Sequence, residues 1–191
     1  MPLIDESEHD LVQRARGGDA AALGELLARH RTSALRLATV VLGSSAGADD
    51  VVQDADVRAW RFRASVDADR SFRSWYLRVV ANVAKSTRRS AGRRASLELR
   101  DAATAPVADA IASDPADVAV SDDERRAAIA AINRLGADDR LVIALRHFEQ
   151  LTEGEMANVL GCAQGTVKSR LSRAMDRLRA QMRDQHSEVA S

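Results

Sequence analysis

Apolar residues recur three and four positions apart along most of the chain, which is the spacing of an amphipathic helix. No stretch alternates apolar and polar residues over the length of a strand. The first stripe begins at Leu11 and ends at Gly17-Gly18, and Asp19 can cap a longer helix that reaches segment 43–47. The pattern therefore predicts an all-α chain.

Two further helices flank a polar loop in the first half of the chain. A helix is predicted from about Asp49 to Arg63, residues 65–70 form the loop, and Ser71 can cap the helix that follows. The predicted buried face of that following helix consists of Phe72, Trp75, Val79, Asn82 and Val83.

The helical period is lost in the middle of the chain, where Ala, Asp and Ser dominate and Pro106 and Pro115 occur. We interpret residues 93–122 as a flexible, acidic linker between two small helical domains, residues 8–92 and 123–184. A solvated helix within this segment is the alternative, because alanine is abundant there.

The second domain carries the spacing of a helix–turn–helix. Thr152 and Glu155 form a capping box, Gly161 ends that helix, and the next helix starts near Gly165. The second helix of such a motif offers its N-terminal residues to the DNA major groove. Several side chains lie outside the apolar stripe or at its edge and are free to reach bases and phosphates: Thr166, Lys168, Ser169, Ser172 and Arg173. We assign Arg170 to a phosphate contact. The competing interpretation is a solvated face on an ordinary helical hairpin.

Charge is sorted along the chain, although the 191 residues have a formal net charge of +0. Residues 70–94 hold eight basic and no acidic side chains, and residues 163–183 hold six basic side chains against Asp176. Between them, residues 95–124 hold eight acidic side chains against Arg100. Two basic blocks separated by an acidic one indicate two surfaces for anionic ligands.

Five of the six aromatic residues lie in or beside the first basic block. Aromatic rings next to arginines suit single-stranded nucleic acid, because unpaired bases stack on rings while arginines hold the backbone. The rings could equally belong to the core, and we assign Trp60, Phe62 and Phe72 to it. For Trp75 and Tyr76 both interpretations stay open, because adjacent residues cannot both point inward on one helix.

Other chemistry has little support in the sequence. The four histidines lack metal-ligand spacing, and no phosphate-binding loop, nucleophile elbow or HExxH motif occurs. We therefore expect no enzyme, metal or cofactor. A single cysteine, Cys162, permits no internal disulfide, and no signal peptide or apolar span is evident, so a cytoplasmic protein is expected.

Two motifs in this order resemble a known family. The first is DDVVQDADVRAW, residues 49–60, followed by SFRSWYLRVVANVAKSTRRS, residues 71–90. It resembles conserved region 2 of an extracytoplasmic-function (ECF) sigma factor, a group of the sigma-70 family. The second is LRHFEQLTEGEMANVLGCAQGTVKSRLSRAMDRLR, residues 145–179, which resembles region 4 of the same group. The resemblance implies a region 2 helical bundle and a region 4 helix–turn–helix.

The resemblance also implies a function. Such a protein is a transcription initiation factor without catalytic activity that brings core RNA polymerase to promoters. The first domain would bind and melt the minus-ten element, and the second would read the minus-thirty-five element. Many members are held inactive by an anti-sigma factor. The implied partners are core RNA polymerase, through its beta-prime clamp helices and beta flap, promoter DNA and an anti-sigma factor.

Site residues follow from the same resemblance. Those matching the polymerase-binding region are Asp50, Val51, Gln53 and Asp54. Those assigned to the minus-ten element are Val66, Asp67, Ser71, Trp75, Arg78, Asn82, Lys85, Arg88 and Arg89. Those assigned to the minus-thirty-five element are Gln164, Thr166, Lys168, Ser169, Arg170, Ser172 and Arg173.

The chain departs from the family at two places. Asp56 stands where a large apolar or aromatic residue is usual, and Ala163-Gln164 replaces the usual Pro-Val before the recognition helix. A stand-alone helix–turn–helix regulator, which binds symmetric duplex half-sites without polymerase, is the competing hypothesis. A helical scaffold with incidental basic faces is a third.

Overall fold

The computed structural model describes residues 7–68, 70–97 and 122–189, and these residues form helices joined by short turns. The helices are α1 (Glu8–Arg16), α2 (Ala20–Leu42), α3 (Ala48–Phe62), α4 (Phe72–Leu97), α5 (Asp122–Arg134), α6 (Ala137–Ile143), α7 (Glu153–Leu160) and α8 (Gln164–Val189). A 3-10 turn, Arg63–Ser65, follows α3, and a π-helical turn, Ala144–Phe148, follows α6. The predicted all-α class is confirmed. Most of the predicted linker, residues 98–121, lies outside the described residues, while α4 extends past position 92 to Leu97.

Local signals in the sequence set the helix ends. The Asp19 carboxylate accepts hydrogen bonds from the backbone N–H groups of Ala21 and Ala22, at 2.9 and 3.1 Å. Gly43 ends α2 with a φ of 82°, a left-handed conformation that glycine adopts without steric cost. The Ser71 hydroxyl accepts from the backbone N–H of Ser74 at 3.3 Å, which caps α4 as the sequence predicts.

The buried face of α4 differs from the predicted one. Phe72 and Val83 are buried as expected, whereas Asn82 is exposed. Other buried apolar residues of this helix are Tyr76, Leu77, Val80, Ala81 and Ala84. The predicted members Trp75 and Val79 are only partly buried. The buried face of α4 is rotated relative to the predicted one because α4 packs against three helices, α2, α3 and α7.

Trp60 and Phe62 are not core residues, which corrects the prediction from the sequence. Their exposed fractions are 38% and 60%. The buried stripe of α3 runs through Val52, Ala55 and Ala59, so both aromatic rings fall on other faces of the helix. The Arg63 guanidinium lies 4.2 Å from the centre of the Trp60 ring.

The second domain packs directly on the first. α6 contacts α2, α7 contacts α4, and one continuous cluster of buried apolar residues runs through both domains. The predicted stripe of α8 is confirmed: Val167 and Ala174 are buried, and Leu171 and Leu178 are partly buried against the same cluster. The helix–turn–helix is therefore docked against α4 in this conformation.

Candidate nucleic-acid and polymerase interfaces

The helix–turn–helix is built from α7, a tight turn and α8. The Thr152 hydroxyl and the Glu155 carboxylate satisfy each other's backbone N–H groups, which is the predicted capping box. Gly161 ends α7 with a φ of 63°. α8 then begins at Gln164, where the Ala163 carbonyl accepts from the N–H of Thr166 at 2.9 Å. The helix therefore starts normally without the usual Pro-Val.

Burial of one face of α8 turns its predicted DNA-binding residues outward. Thr166 is partly exposed, and the exposed members are Gln164, Lys168, Ser169, Arg170, Ser172 and Arg173. The Arg173 Nε donates to the carbonyl of Ser169 at 3.1 Å, and the rest of its guanidinium extends away from the helix. This face combines hydroxyl, amide and cationic groups, which are the donors that read base edges and phosphates.

The two basic helices approach each other across a cleft of about 300 Å³ between α4 and α8. Lys85 of α4 contributes one wall and pairs with Asp138 at 2.7 Å. Arg170 and Arg173 of α8 contribute the other wall. Asp138, Asp139 and Val142 of α6 line the cleft between these walls, so one residue of the predicted minus-ten surface faces two of the predicted minus-thirty-five surface.

A second cavity, of about 180 Å³, lies between the loop before α4 and the first turns of that helix. Its lining residues are Ser65, Asp67, Arg70, Ser71, Ser74, Trp75, Arg78 and Asn158. Asp67 pairs with Arg70 at 3.1 Å, and Trp75 keeps part of its ring accessible. Tyr76 is fully buried, so of the two aromatic residues left open by the sequence, Trp75 is the one with accessible surface.

The remaining residues assigned to the minus-ten element occupy different environments. Asn82 and Arg89 are exposed, whereas Val66 is buried beneath the loop and offers no side-chain surface. Arg88 donates to the carbonyl of Val41 at 3.2 Å, and partial burial lowers the pKa of its guanidinium. Arg88 therefore contacts the C-terminal end of α2 in this conformation.

The outer face of α3 holds the predicted polymerase-binding residues. Asp50, Gln53 and Asp54 are exposed, whereas Val51 is buried and acts by packing. Reasoning from sequence missed the exposed apolar side chains on the same helix, Val57, Trp60 and Phe62. Their position outside the stripe of Val52, Ala55 and Ala59 is the signal that could have identified them.

Asp56 has a structural partner. The Tyr76 hydroxyl donates to the Asp56 carboxylate at 2.5 Å. Burial raises the pKa of the Tyr76 hydroxyl, and the hydrogen bond to Asp56 raises it further. Burial also raises the pKa of Asp56, while the hydrogen bond opposes that change. The unusual acid at this position therefore satisfies a buried phenol.

Among the described helices, none is long and apolar enough to cross a membrane. Within the same residues, no three His, Cys, Asp or Glu side chains gather as metal ligands would.

The arrangement of a helical bundle followed by a helix–turn–helix matches known proteins. The family model for sigma-70 region 2 matches residues 26–94, and that for sigma-70 region 4 matches residues 125–178. The ECF RNA polymerase sigma-E factor of Escherichia coli K12 is 31% identical over 171 residues, which cover 87% of this chain and 89% of that protein.

Two solved structures are similar over most of the chain. CnrH, solved in complex with the cytosolic domain of CnrY, has a TM-score of 0.64 and 28% identity, covering 94% of this chain and 99% of its own. The sigma factor RpoE of Bartonella quintana, solved with the anti-sigma factor NepR, has a TM-score of 0.62 and 29% identity, covering 80% and 91%. The chain belongs to the ECF sigma factors of the sigma-70 family, which direct RNA polymerase to promoters.

Proposed function

We propose that this sigma factor contacts core polymerase through α3, the minus-ten element through α4 and its preceding loop, and the minus-thirty-five element through α8. The observation that carries the proposal is the outward face of α8, where a capped helix–turn–helix presents a polar and basic N-terminal half. The basic surface of α4 beside an accessible Trp75 supplies the second DNA contact.

Reading of the minus-thirty-five duplex falls to α8. Lys168 and Arg173 are exposed near the N-terminus of the helix, where major-groove contacts are made. Ser169 and Ser172 provide short hydroxyl groups between them, and Arg170 holds a phosphate. Gln164, exposed at the first position of α8, adds an amide that can hydrogen-bond a base edge.

Melting of the minus-ten element falls to α4 and the loop before it. Extruding a base costs a few kcal/mol, and stacking on an aromatic ring returns roughly 1–3 kcal/mol per base. Trp75 lines the cavity of about 180 Å³ and can provide that stacking. Arg78, Lys85 and Arg89 extend along the same helix and can hold the flanking phosphates.

Polymerase binding falls to the outer face of α3, which we assign to the beta-prime clamp helices. Asp50, Gln53 and Asp54 provide polar and charged contacts, and the exposed Trp60 with Val57 adds an apolar centre. Aromatic anchors surrounded by polar residues are typical of protein interfaces. By the family resemblance, the second domain contacts the beta flap.

Regulation by an anti-sigma factor is supported by the solved complex of RpoE with NepR. RpoE is similar over 80% of this chain. We therefore assign the chain an anti-sigma partner, which the present structure does not contain.

Run-off transcription tests the proposal. Purified core polymerase is assayed with and without this protein across a pool of bacterial promoter fragments. Transcripts that depend on the protein, with start sites that align to two shared promoter elements, are the expected result. Retention of duplex fragments by the protein alone, without dependent transcripts, would instead favour the stand-alone regulator.

A further inference from the structure

The Ser74 hydroxyl is a buried polar group that no protein group satisfies within the described part of the chain. Ser74 is the third residue of α4 and is 3% exposed. Its backbone N–H donates to Ser71, but its Oγ has no hydrogen-bond partner. Buried hydroxyls are almost always hydrogen-bonded to protein or to water, so an unused one beside a cavity is available to a water molecule or to a ligand.

The cavity of about 180 Å³ beside this hydroxyl has the composition of a site for a planar polar ring. All of its lining residues except Asn158 of α7 belong to the first domain, so these groups stay together when the second domain moves. Trp75 offers a stacking surface and Asp67 a carboxylate. Ser65 already donates its proton to the Phe62 carbonyl at 2.7 Å, while the exposed Ser71 hydroxyl accepts from the Ser74 N–H and keeps its own O–H. Ser74 therefore has hydrogen-bonding capacity left for a ligand.

We propose that the Ser74 hydroxyl binds the edge of the base extruded from the non-template strand, and so helps to select that base. This inference rests on the proposed minus-ten contact. The Asp67 carboxylate only accepts hydrogen bonds, whereas Ser74 can donate one. On its Watson–Crick edge, cytosine or adenine offers an amino group beside an unprotonated ring nitrogen and satisfies both residues. Guanine carries a proton on that nitrogen, and thymine lacks the amino group.

The test measures binding of the holoenzyme to partly single-stranded promoter fragments in which each minus-ten position is replaced in turn by an abasic site. The wild type should lose affinity most at one position. Ser74→Ala should weaken binding to the intact fragment about fivefold, the size of one net hydrogen bond, and should leave binding to that abasic fragment unchanged. Ser45→Ala, which removes an exposed hydroxyl from the turn before α3, is the control and should behave as wild type.

Two results would overturn the role of Ser74. Equal weakening on intact and abasic fragments would indicate a structural role, and full wild-type affinity on the intact fragment would show that the hydroxyl does not bind the base. A wild-type holoenzyme without any abasic-sensitive position would instead contradict the proposed minus-ten contact itself.

An independent observation concerns the interface between the two domains. Glu149, whose side chain has no exposed surface, lies between two arginines of the first domain. Its carboxylate is 2.5 Å from the Arg73 guanidinium and 3.8 Å from that of Arg36. Arg73 also donates to the Glu149 carbonyl, and Arg36 to the Phe148 carbonyl, both at 3.0 Å.

The docked second domain covers part of the first domain's DNA-binding surface. Asn158 of α7 forms one wall of the base-sized cavity and accepts a hydrogen bond from Arg70 at 3.2 Å. Lys85 is held by Asp138. Strand and phosphate contacts at these positions therefore require the second domain to move away.

The separation of the two promoter elements also indicates that the two domains must move apart. A compact chain of 191 residues has a radius of gyration of roughly 16 Å. The two promoter elements are about 25 base pairs apart, which is roughly 85 Å along the duplex. We infer that the docked conformation is a self-inhibited state, that the Glu149–Arg73 pair is its latch, and that productive binding opens it.

Glu149→Gln tests the latch, with Glu25→Gln as a matched control because Glu25 is exposed and pairs within α2. Small-angle scattering should show a compact wild type and an extended variant, with the ratio of open to docked molecules raised at least about tenfold. Run-off transcription should rise at limiting protein and be unchanged at saturation. Arg73→Gln, on the other domain, should reproduce both effects.

An extended wild type, or variants as compact as wild type, would overturn the latch. So would opened variants that transcribe no better at limiting concentration. If the wild type supports no dependent transcription, the proposed function is contradicted. Small-angle scattering would still show whether the two domains are docked.

Discussion

At the scale of single residues, the pair of Tyr76 and Asp56 shows how a polar substitution is accommodated in a helical bundle. The phenol is buried in the core, and its hydroxyl reaches the half-buried Asp56 carboxylate at 2.5 Å. The hydrogen bond between a buried donor and an ionised acceptor stabilises the fold, whereas either group without its partner would destabilise it. The sequence identifies Asp56 as unusual, but its partner lies on a different helix, 20 residues away.

Tyr76→Phe should lower the free energy of unfolding by about 1 kcal/mol at neutral pH, because Asp56 keeps its charge and loses its donor. Burial raises the pKa of Asp56 above its ordinary value of 3.8. By itself, a raised folded-state pKa favours folding at low pH, and this contribution is lost as the pH rises through that pKa. Tyr76→Phe removes the hydrogen bond that lowers the pKa of Asp56, so that pKa rises further. The loss in free energy of unfolding relative to wild type should therefore be largest at neutral pH and should shrink in mild acid.

Urea unfolding at neutral and mildly acidic pH measures this effect. Asp56→Asn supplies the control, since an amide does not titrate and the effect of Tyr76→Phe in that background should not vary with pH. If Tyr76→Phe lowers the free energy of unfolding equally at both pH values in the protein that retains Asp56, the assigned interaction is contradicted.

At the scale of elements, α8 shows how a capped turn and an apolar stripe fix the face that we propose to read DNA. Val167 and Ala174 are buried, so the side chains between them point outward. The capping box, the glycine turn and the stripe are all local signals, and each was predictable from sequence. The buried face of α4 was not, because it depends on which three helices surround it. For Trp60 and Phe62 the local stripe of Val52, Ala55 and Ala59 did hold the signal, because hydrophobicity alone does not distinguish a core side chain from an exposed one.

Lys168→Ala and Arg173→Ala should each weaken use of the minus-thirty-five element by roughly 1–3 kcal/mol if the side chains contact bases. Run-off transcription on promoters with an intact or altered minus-thirty-five element measures the change. Arg179→Ala is the control on the same helix, because Arg179 pairs with Asp176 far from the N-terminal turns. Unchanged promoter preference in both α8 variants would contradict their assignment.

At the scale of the whole molecule, the surface that we propose to bind polymerase stays exposed in the docked conformation. The exposed face of α3 includes Asp54 and Trp60. The docking of the two domains was beyond prediction from sequence, because Arg73 and Glu149 are 76 positions apart and belong to separate helical patterns.

Asp54→Arg and Trp60→Ala should each weaken binding to core polymerase, the first by charge reversal and the second by loss of an apolar anchor of about 2 kcal/mol or more. Gel filtration of the variant with core enzyme measures assembly, and circular dichroism tests whether the variant keeps its helical fold. Glu25→Gln provides an exposed control on α2. Normal co-elution of both α3 variants would rule out this face as the polymerase contact.

The C-terminal end of α2 has a consequence for the genetics of this protein. Arg140 of the second domain is 2% exposed and donates to the carbonyls of Val41 and Leu42, at 2.9 and 3.4 Å. Its guanidinium fits there because Gly43 has no side chain, and any Cβ at that position would overlap it. A single codon change at position 43 would therefore displace a residue encoded almost 100 codons downstream. A selection for constitutively active alleles should then return changes in the first domain as readily as in the second.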